Sequence, residues 1–219
     1  MEKIYRGIVI NKQLYADADE IVTILTPSKK ITFLAKGTQK PLSKNRVALQ
    51  LLNLIEVEIF EARLATKVSK LKKANTLIFF NLDTDKRVVI NLLKLLNAVK
   101  ENFYLVTDTC FHLFNLFGHG NDYKIFLYIL NQSLHCFGIY PNYKGCVVCQ
   151  RKDNIIDFEF YQGGYLCFKH SNKTKEIEYL KSVYFLNKDF DDYQANFNKS
   201  YIRQIFEELW NFLEENTYI

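Results

Sequence analysis

The spacing of apolar residues changes once along this chain, near residue 80, and that change limits the fold more than any other feature. Up to that point apolar residues sit in short β-branched runs or alternate with polar ones; beyond it they recur every three to four positions. One sheet cannot satisfy the second pattern, and one helix bundle cannot satisfy the first. The chain therefore needs two cores, and its fold class is α+β. The expected division is a β domain over residues 1–80 and a helical domain over residues 81–219.

Within the first part, Ile4-Tyr5-Arg6-Gly7-Ile8-Val9-Ile10 reads as a strand, and Asp17-Ala18-Asp19 as a turn. Glu20–Thr26 and Ile31–Ala35 read as strands two and three, separated by the turn residues Pro27–Lys30. Lys36–Asn45 reads as a mobile loop. Leu54–Phe60 alternates apolar and acidic residues, as a half-exposed strand should, and a fifth strand is expected near Ala65–Leu71. Five short strands suit a small closed barrel, because closure removes exposed edges.

In the second part, Val88, Val89, Leu92, Leu93, Leu95, Leu96 and Val99 mark a helix over Leu82–Val99, with Asp83 and Thr84 as candidate caps. Thr107–Phe117, Asp122–Cys136 and Tyr201–Leu213 are the other expected helices. The longest uncharged stretch, Ile125–Tyr143, contains Asn131, Gln132, Ser133, His135 and Asn142, so a buried helix followed by a turn fits better than a membrane span. Three prolines and eight glycines beside 14 Tyr and 18 Phe exclude a disordered chain. The first residues, Met1–Arg6, alternate charge and bulk without an apolar signal core, and the expected location is the cytoplasm.

Cys146-Val147-Val148-Cys149 and Cys167-Phe168-Lys169-His170 form the pattern C-x2-C-x17-C-x2-H. Two close pairs of soft or borderline donors match tetrahedral zinc, with the metal joining two tight turns. Gly145, Gly163 and Gly164 stand beside the pairs, where positive backbone angles are expected. Four protein ligands leave no open position for water, so the zinc should be structural, folding residues 141–171 into a knuckle that apolar burial alone could not hold. Zinc deaminases also need an H-x-E element and zinc proteases an HExxH, and neither occurs. Cys110 and Cys136 lie in apolar helical patterns and should be buried.

No other motif points to catalysis. GxxxxGK[ST], GxGxxG and GxSxG are all missing, and His112, His119 and His135 have no ligand-like spacing. Asp17-Ala18-Asp19 and Asp83-Thr84-Asp85 read as a solvated turn and a helix start. The chain reads as a non-enzyme.

Its charge is more informative. Residues 1–80 carry 14 Lys and Arg against 7 Asp and Glu, whereas residues 81–219 carry 15 against 17. No acid occurs between Glu20 and Glu56, an interval that holds Lys29, Lys30, Lys36, Lys40, Lys44 and Arg46. Lys36, Lys40, Lys44 and Arg46 suit phosphates, and Tyr5, Tyr15 and Phe33 are candidates to stack on exposed bases. Lys67, Lys70, Lys72 and Lys73 form a second basic cluster. DNA binding, RNA binding, and a protein scaffold with incidental charge all remain open from the residues alone.

Several passages resemble a known family. Gly7–Ile10, Tyr15–Asp19, Thr23–Thr26, Ala35-Lys36-Gly37 and Ser43-Lys44 resemble the N-terminal barrel of the bacterial RecO recombination mediators. Phe137–Pro141 leading into Cys146–Cys149, and then Gly163–Cys167, resemble that family's passage from helix to zinc site; Leu180-Lys181-Ser182 adds a looser similarity. His170 stands where the family would carry a cysteine. The resemblance implies an OB-fold barrel followed by an all-helical domain with the zinc knuckle inserted at about 141–171. It implies binding of single- and double-stranded DNA, with contacts at Lys36, Lys40, Lys44 and Arg46. It further implies annealing of strands coated by single-stranded-DNA-binding protein, whose acidic C-terminal tail binds the helical domain. Loading of RecA together with RecR, and a nucleoid-associated cytoplasmic location, complete the expectation.

Overall fold

The computed structural model describes residues 2–64 and 66–219, which form two compact units, one reaching to Asp122 and the other spanning Tyr123–Ile219. The first is built on strands β1 (Glu2–Leu14), β2 (Glu20–Leu25), β3 (Lys30–Ala35), β4 (Leu54–Phe60) and β5 (Ser69–Ile78). They close into a barrel in the order β1-β2-β3-β5-β4, with β4 returning to β1. This is the expected OB-type barrel.

Closure depends on β1. Its first half pairs with β4, from Glu2 opposite Phe60 to Ile8 opposite Leu54, and its second half pairs with β2, from Ile8 opposite Leu25 to Leu14 opposite Glu20. A register shift between Val9 and Asn11 bends the strand at the changeover. Alternation then sends Val9, Val22, Ile24, Ile31, Phe33, Ile55, Val57 and Ile59 inward.

The β5 strand is later and longer than the expected Ala65–Leu71 segment, and Ala65 itself lies outside the described residues. Its outward residues are mostly lysines and only Ala74 is buried, so the apolar pattern carries little of it. The Lys36–Asn45 segment, expected to be mobile, is anchored as part of a folded connection. Gly37 N–H donates to Asp19 Oδ1 at 2.7 Å, Gln39 N–H donates to Ala18 O at 3.0 Å, and Asn45 Oδ1 accepts from Ala74 N–H at 3.0 Å. Just beyond it, Ala48 and Leu49 join the barrel core. Buried Asn53 closes the connection by donating to Val47 O and Ala48 O and accepting from Phe80 N–H.

Two helices complete this unit, α1 (Lys86–Ala98) and α2 (Phe103–Leu113). The cap of α1 is Asp85, whose carboxylate accepts from Arg87 N–H and Val88 N–H, rather than Asp83 or Thr84. Asp122 fixes the cap in turn, accepting from Asp85 N–H at 2.9 Å and from Gly118 N–H at 2.8 Å. Asn97 ties the end of α1 to the barrel by donating to Ile10 O at 2.9 Å.

The second unit contains α3 (Asp122–Ser133, from its second residue onward), a hairpin of β6 (Ile155–Glu159) and β7 (Gly164–Cys167), then α4 (Ile177–Leu186), α5 (Phe190–Asn196) and α6 (Ile202–Glu215). Phe126 of α3 packs on Phe206 and Trp210 of α6, and Tyr128 packs on Phe190 and Tyr193 of α5. Cys110 and Cys136 are buried, as expected. No helix among the described residues is long and apolar enough to cross a membrane.

Because Asn53 donates to the Val47 and Ala48 carbonyls and accepts from the Phe80 amide, Asn53→Ala should cost about 2–4 kcal/mol. Urea unfolding checks this, and Asn53→Asp, which keeps the acceptor for Phe80 N–H but sets a buried carboxylate oxygen against the Val47 and Ala48 carbonyls, should not recover the loss.

Candidate metal centre and nucleic-acid surface

The four cations singled out in the sequence, Lys36, Lys40, Lys44 and Arg46, lie on the folded connection between β3 and β4. All four are exposed, and none forms an ion pair among the described residues. Other barrel cations are neutralised locally: Lys72 bonds Glu2 at 2.9 Å and Glu58 at 2.7 Å, and Arg6 bonds Glu56 at 2.9 Å. These carboxylates hold Lys72 above the usual lysine range, chiefly through the Glu58 contact. The second basic cluster is thereby reduced to exposed Lys67, Lys70 and Lys73.

The aromatic candidates separate by face. Phe33 is fully buried, because the alternation of β3 turns it inward, so it cannot stack on a base. Tyr5 is already engaged, with its hydroxyl donating to Glu61 at 3.0 Å and Lys29 Nζ 5.4 Å above its ring. Tyr15, at 65% exposure, is the one of the three that remains open.

Cys146, Cys149, Cys167 and His170 come together in the second unit with all ligand atoms within 4.8 Å of one another. Cys146 and Cys149 flank one turn, which Cys146 N–H closes by donating to Arg151 O at 2.9 Å and Gln150 N–H by donating to Cys146 O. Cys167 ends β7, and His170 follows in a turn closed by His170 N–H donating to Cys167 O at 2.8 Å. In a tetrahedral site with Zn–S about 2.3 Å and Zn–N about 2.0 Å, sulfurs lie about 3.8 Å apart and sulfur and nitrogen about 3.5 Å apart. The Cys149 and Cys167 sulfurs are 3.7 Å apart, and His170 Nδ1 is 3.4 Å from Cys146 Sγ and 3.3 Å from Cys167 Sγ. A disulfide would need about 2.05 Å. The cluster fits zinc.

Its electrostatics also suit a cation. Burial opposes ionisation of Cys146, yet the backbone amides of Cys149, Cys167 and Val148 and the His170 ring outweigh it and bring the thiol down to about 6. For Cys149 the Arg151 amide favours the thiolate, but burial and the Cys167 and Cys146 sulfurs push the thiol up. That mutual opposition among sulfurs is what a bound cation relieves.

The positive backbone angles fall partly where they were expected. Gly163 and Gly164 adopt them, at 82° and 138°, but at the first turn Gln150 does, at 61°. Gly145 serves a close approach instead: a Cβ there would lie 2.7 Å from Arg151 O. Away from the metal ligands, the hairpin is held by a genuine apolar cluster. Phe158 is fully buried among Tyr143, Phe160 and Tyr165, and the Tyr165 hydroxyl donates to Leu180 O of α4 at 2.7 Å. The knuckle therefore has an apolar support beside the four candidate ligands.

The other candidates play structural parts. Asp19 holds the Gly37 amide, Asp85 caps α1, and the His112 ring hydrogen-bonds Asp108 O at 2.8 Å. The deep tethers missed in the sequence, such as Asn53, carry no periodic signal.

Metal removal should thus loosen the cysteine turns and leave the aromatic end of the hairpin folded. A chelator should lower the thermal midpoint by about 5–10 °C without abolishing helical circular dichroism, since about 1 kcal/mol moves the midpoint 2–4 °C in a chain of this size. His170→Ala should reproduce much of that loss.

The family model described as Recombination protein O N terminal matches residues 1–80, and that described as Recombination protein O C terminal matches residues 92–215. A DNA repair protein RecO of Mesoplasma florum is 26% identical over 195 residues, which cover 81% of this chain and 73% of the relative. Those of Bacillus cytotoxicus (25% over 175 residues, 76% and 70%) and Ligilactobacillus salivarius (27% over 200 residues, 84% and 75%) are similar to comparable extents. The matches run through both the five-stranded barrel and the cysteine-bearing unit, and the chain belongs to the RecO family of DNA repair proteins.

Proposed function

We propose that this chain is a non-catalytic recombination mediator that binds single- and double-stranded DNA and brings complementary strands together. The observation that carries the reading is the row of exposed, unneutralised cations, Lys36, Lys40, Lys44 and Arg46, on a connection anchored to the barrel. Cations on a fixed platform neutralise two phosphate backbones without first losing the entropy of ordering a loop. Tyr15 is available to stack on an unpaired base. Pairing then proceeds by base complementarity and needs no nucleotide hydrolysis.

The metal in this reading is zinc, held by Cys146, Cys149, Cys167 and His170 as a structural ion. The reading also includes strands coated by single-stranded-DNA-binding protein, RecA loading together with RecR, and a nucleoid-associated place in the cytoplasm. A groove of about 530 Å³ beside the hairpin and α4 supports the first of these. Its floor includes Ile155 and Leu180 and its rim Lys144, Lys152 and Lys181, a combination that suits an acidic tail with an apolar end.

Four measurements test this. Replacing Lys36, Lys40, Lys44 and Arg46 together by Ala should weaken binding to single strands and flatten the log K against log salt slope by about 3, at about 0.7 per phosphate contact. An unchanged slope would sink the assignment, as would a clear preference for RNA over DNA of equal length. Annealing of oligonucleotides coated by the cognate single-stranded-DNA-binding protein should slow in the same variant. Lys144→Ala with Lys152→Ala should weaken binding of that protein's tail peptide about tenfold, since each exposed pair contributes up to about 1 kcal/mol.

A further inference from the structure

The metal centre and the groove beside the hairpin and α4 are built from the same short segments. Lys144 and Gly145 line the groove immediately before ligand Cys146, and Lys152 lines it three residues after ligand Cys149. Ile155 of the groove floor pairs with ligand Cys167 in the β6–β7 ladder, and Tyr165, also in the lining, stands two residues before that ligand. Ile155 packs as well against the buried cluster of Cys146, Leu166 and Cys167. One side of these segments is groove and the other is metal centre.

The loop from Lys144 to Lys152 is narrow. Cys146 N–H donates to Arg151 O at 2.9 Å, and a Cβ on Gly145 would come within 2.7 Å of the same oxygen, so the two limbs lie against each other. Both rim lysines therefore ride on one body. Val147 N–H donating to Tyr165 O at 2.9 Å joins that body to β7. The donor set is a second tie across the same gap. Cys146 and Cys149 stand on the loop and Cys167 and His170 at the end of β7, with Cys149 Sγ 3.7 Å from Cys167 Sγ and His170 Nδ1 3.4 Å from Cys146 Sγ. The facing wall has its own support: Ile177, Leu180 and Lys181 belong to α4, which the Tyr165 hydroxyl fixes to β7 by donating to Leu180 O at 2.7 Å.

We propose that the four ligands act as a clasp on this groove. When they hold a cation, the loop carrying Lys144 and Lys152 is fixed opposite α4; when they do not, the loop loosens and the groove loses its acidic ligand. The inference rests on the reading of the groove as the site for an acidic tail with an apolar end. Ligation adds four coordinate bonds to the Val147 hydrogen bond, two from each side of the gap. Linkage makes the effect reciprocal: a ligand that binds only the fixed loop raises the affinity of the centre for its cation by the same factor. Phe158, enclosed by Tyr143, Phe160 and Tyr165, keeps the aromatic end of the hairpin folded, so the clasp acts on the groove without dismantling the unit.

The test measures binding of the tail peptide of the cognate single-stranded-DNA-binding protein to the full chain, first loaded with zinc and then stripped by a chelator that is removed before titration. Stripping should weaken binding about tenfold, and added zinc should restore it. Saturating peptide should raise the zinc affinity by the same factor in competition with a chromophoric chelator. His170→Ala should weaken peptide binding, and His170→Cys, which keeps four ligands, should preserve it. Equal peptide affinity of the loaded and stripped chains, with Lys144→Ala and Lys152→Ala still weakening both, would overturn the clasp and leave the groove reading standing. No binding to the loaded chain, or binding indifferent to those two lysines, would overturn the groove reading and the clasp with it. Loss of Phe158 amide protection against hydrogen exchange on stripping would overturn the clasp as well, because the ligands would then be holding the whole hairpin.

Discussion

Barrel closure by a single long strand is the constraint on which the first unit depends. A five-stranded sheet has two edges, and here β1 removes both by pairing with β4 through Ile8 and with β2 beyond it. The bend at Val9–Asn11 makes this double service possible, because a straight strand could not follow both partners. Val9 is also where the β3–β4 connection is pinned, its amide donating to Asn53 O and its carbonyl accepting from Leu52 N–H. The same point therefore closes the barrel, fixes the carrier of the basic side chains and holds Leu52 in a left-handed conformation, with φ at 66°. Charge placement on this unit follows from a backbone requirement.

The second unit solves a different problem. Its hairpin has only two strands, β6 and β7, which would be marginal in isolation. Two unlike devices hold it. At one end four ligand atoms within 4.8 Å offer a cation site; at the other, Phe158 is enclosed by three aromatic rings. Fully buried Asp157 links the two. It accepts from Ser171, the residue after His170, and from Phe158 N–H, so the histidine turn and the aromatic end share one carboxylate.

Legibility in the sequence followed the chemistry that produces each feature. Strands β2 and β4 and the C-x2-C-x17-C-x2-H ligands were readable because alternation and ligand spacing are local. The β5 strand was poorly readable because it presents lysines outward and buries little besides Ala74. Helices α4 and α5 were not read, since their buried positions include Ser182, Tyr179 and Tyr193, mixed with polar neighbours in short segments. The tethering of the basic connection has no local signature. It arises from residues brought together over long separations, such as Asn45 with Ala74.

The charge asymmetry gains meaning from this. An excess of cations along a sequence does not by itself make a phosphate-binding surface, because pairing can consume it. Lys72, Arg6, Lys3 and Lys12 are consumed in this way by Glu2, Glu58, Glu56, Glu61 and Glu20, most of them across neighbouring strands. What escapes includes Lys36, Lys40, Lys44 and Arg46 on the β3–β4 connection, where the chain leaves the sheet. The barrel's ladder thus divides its cations into those that pair with acids of neighbouring strands and those left exposed without an ion pair among the described residues. The division is set by strand register rather than by composition.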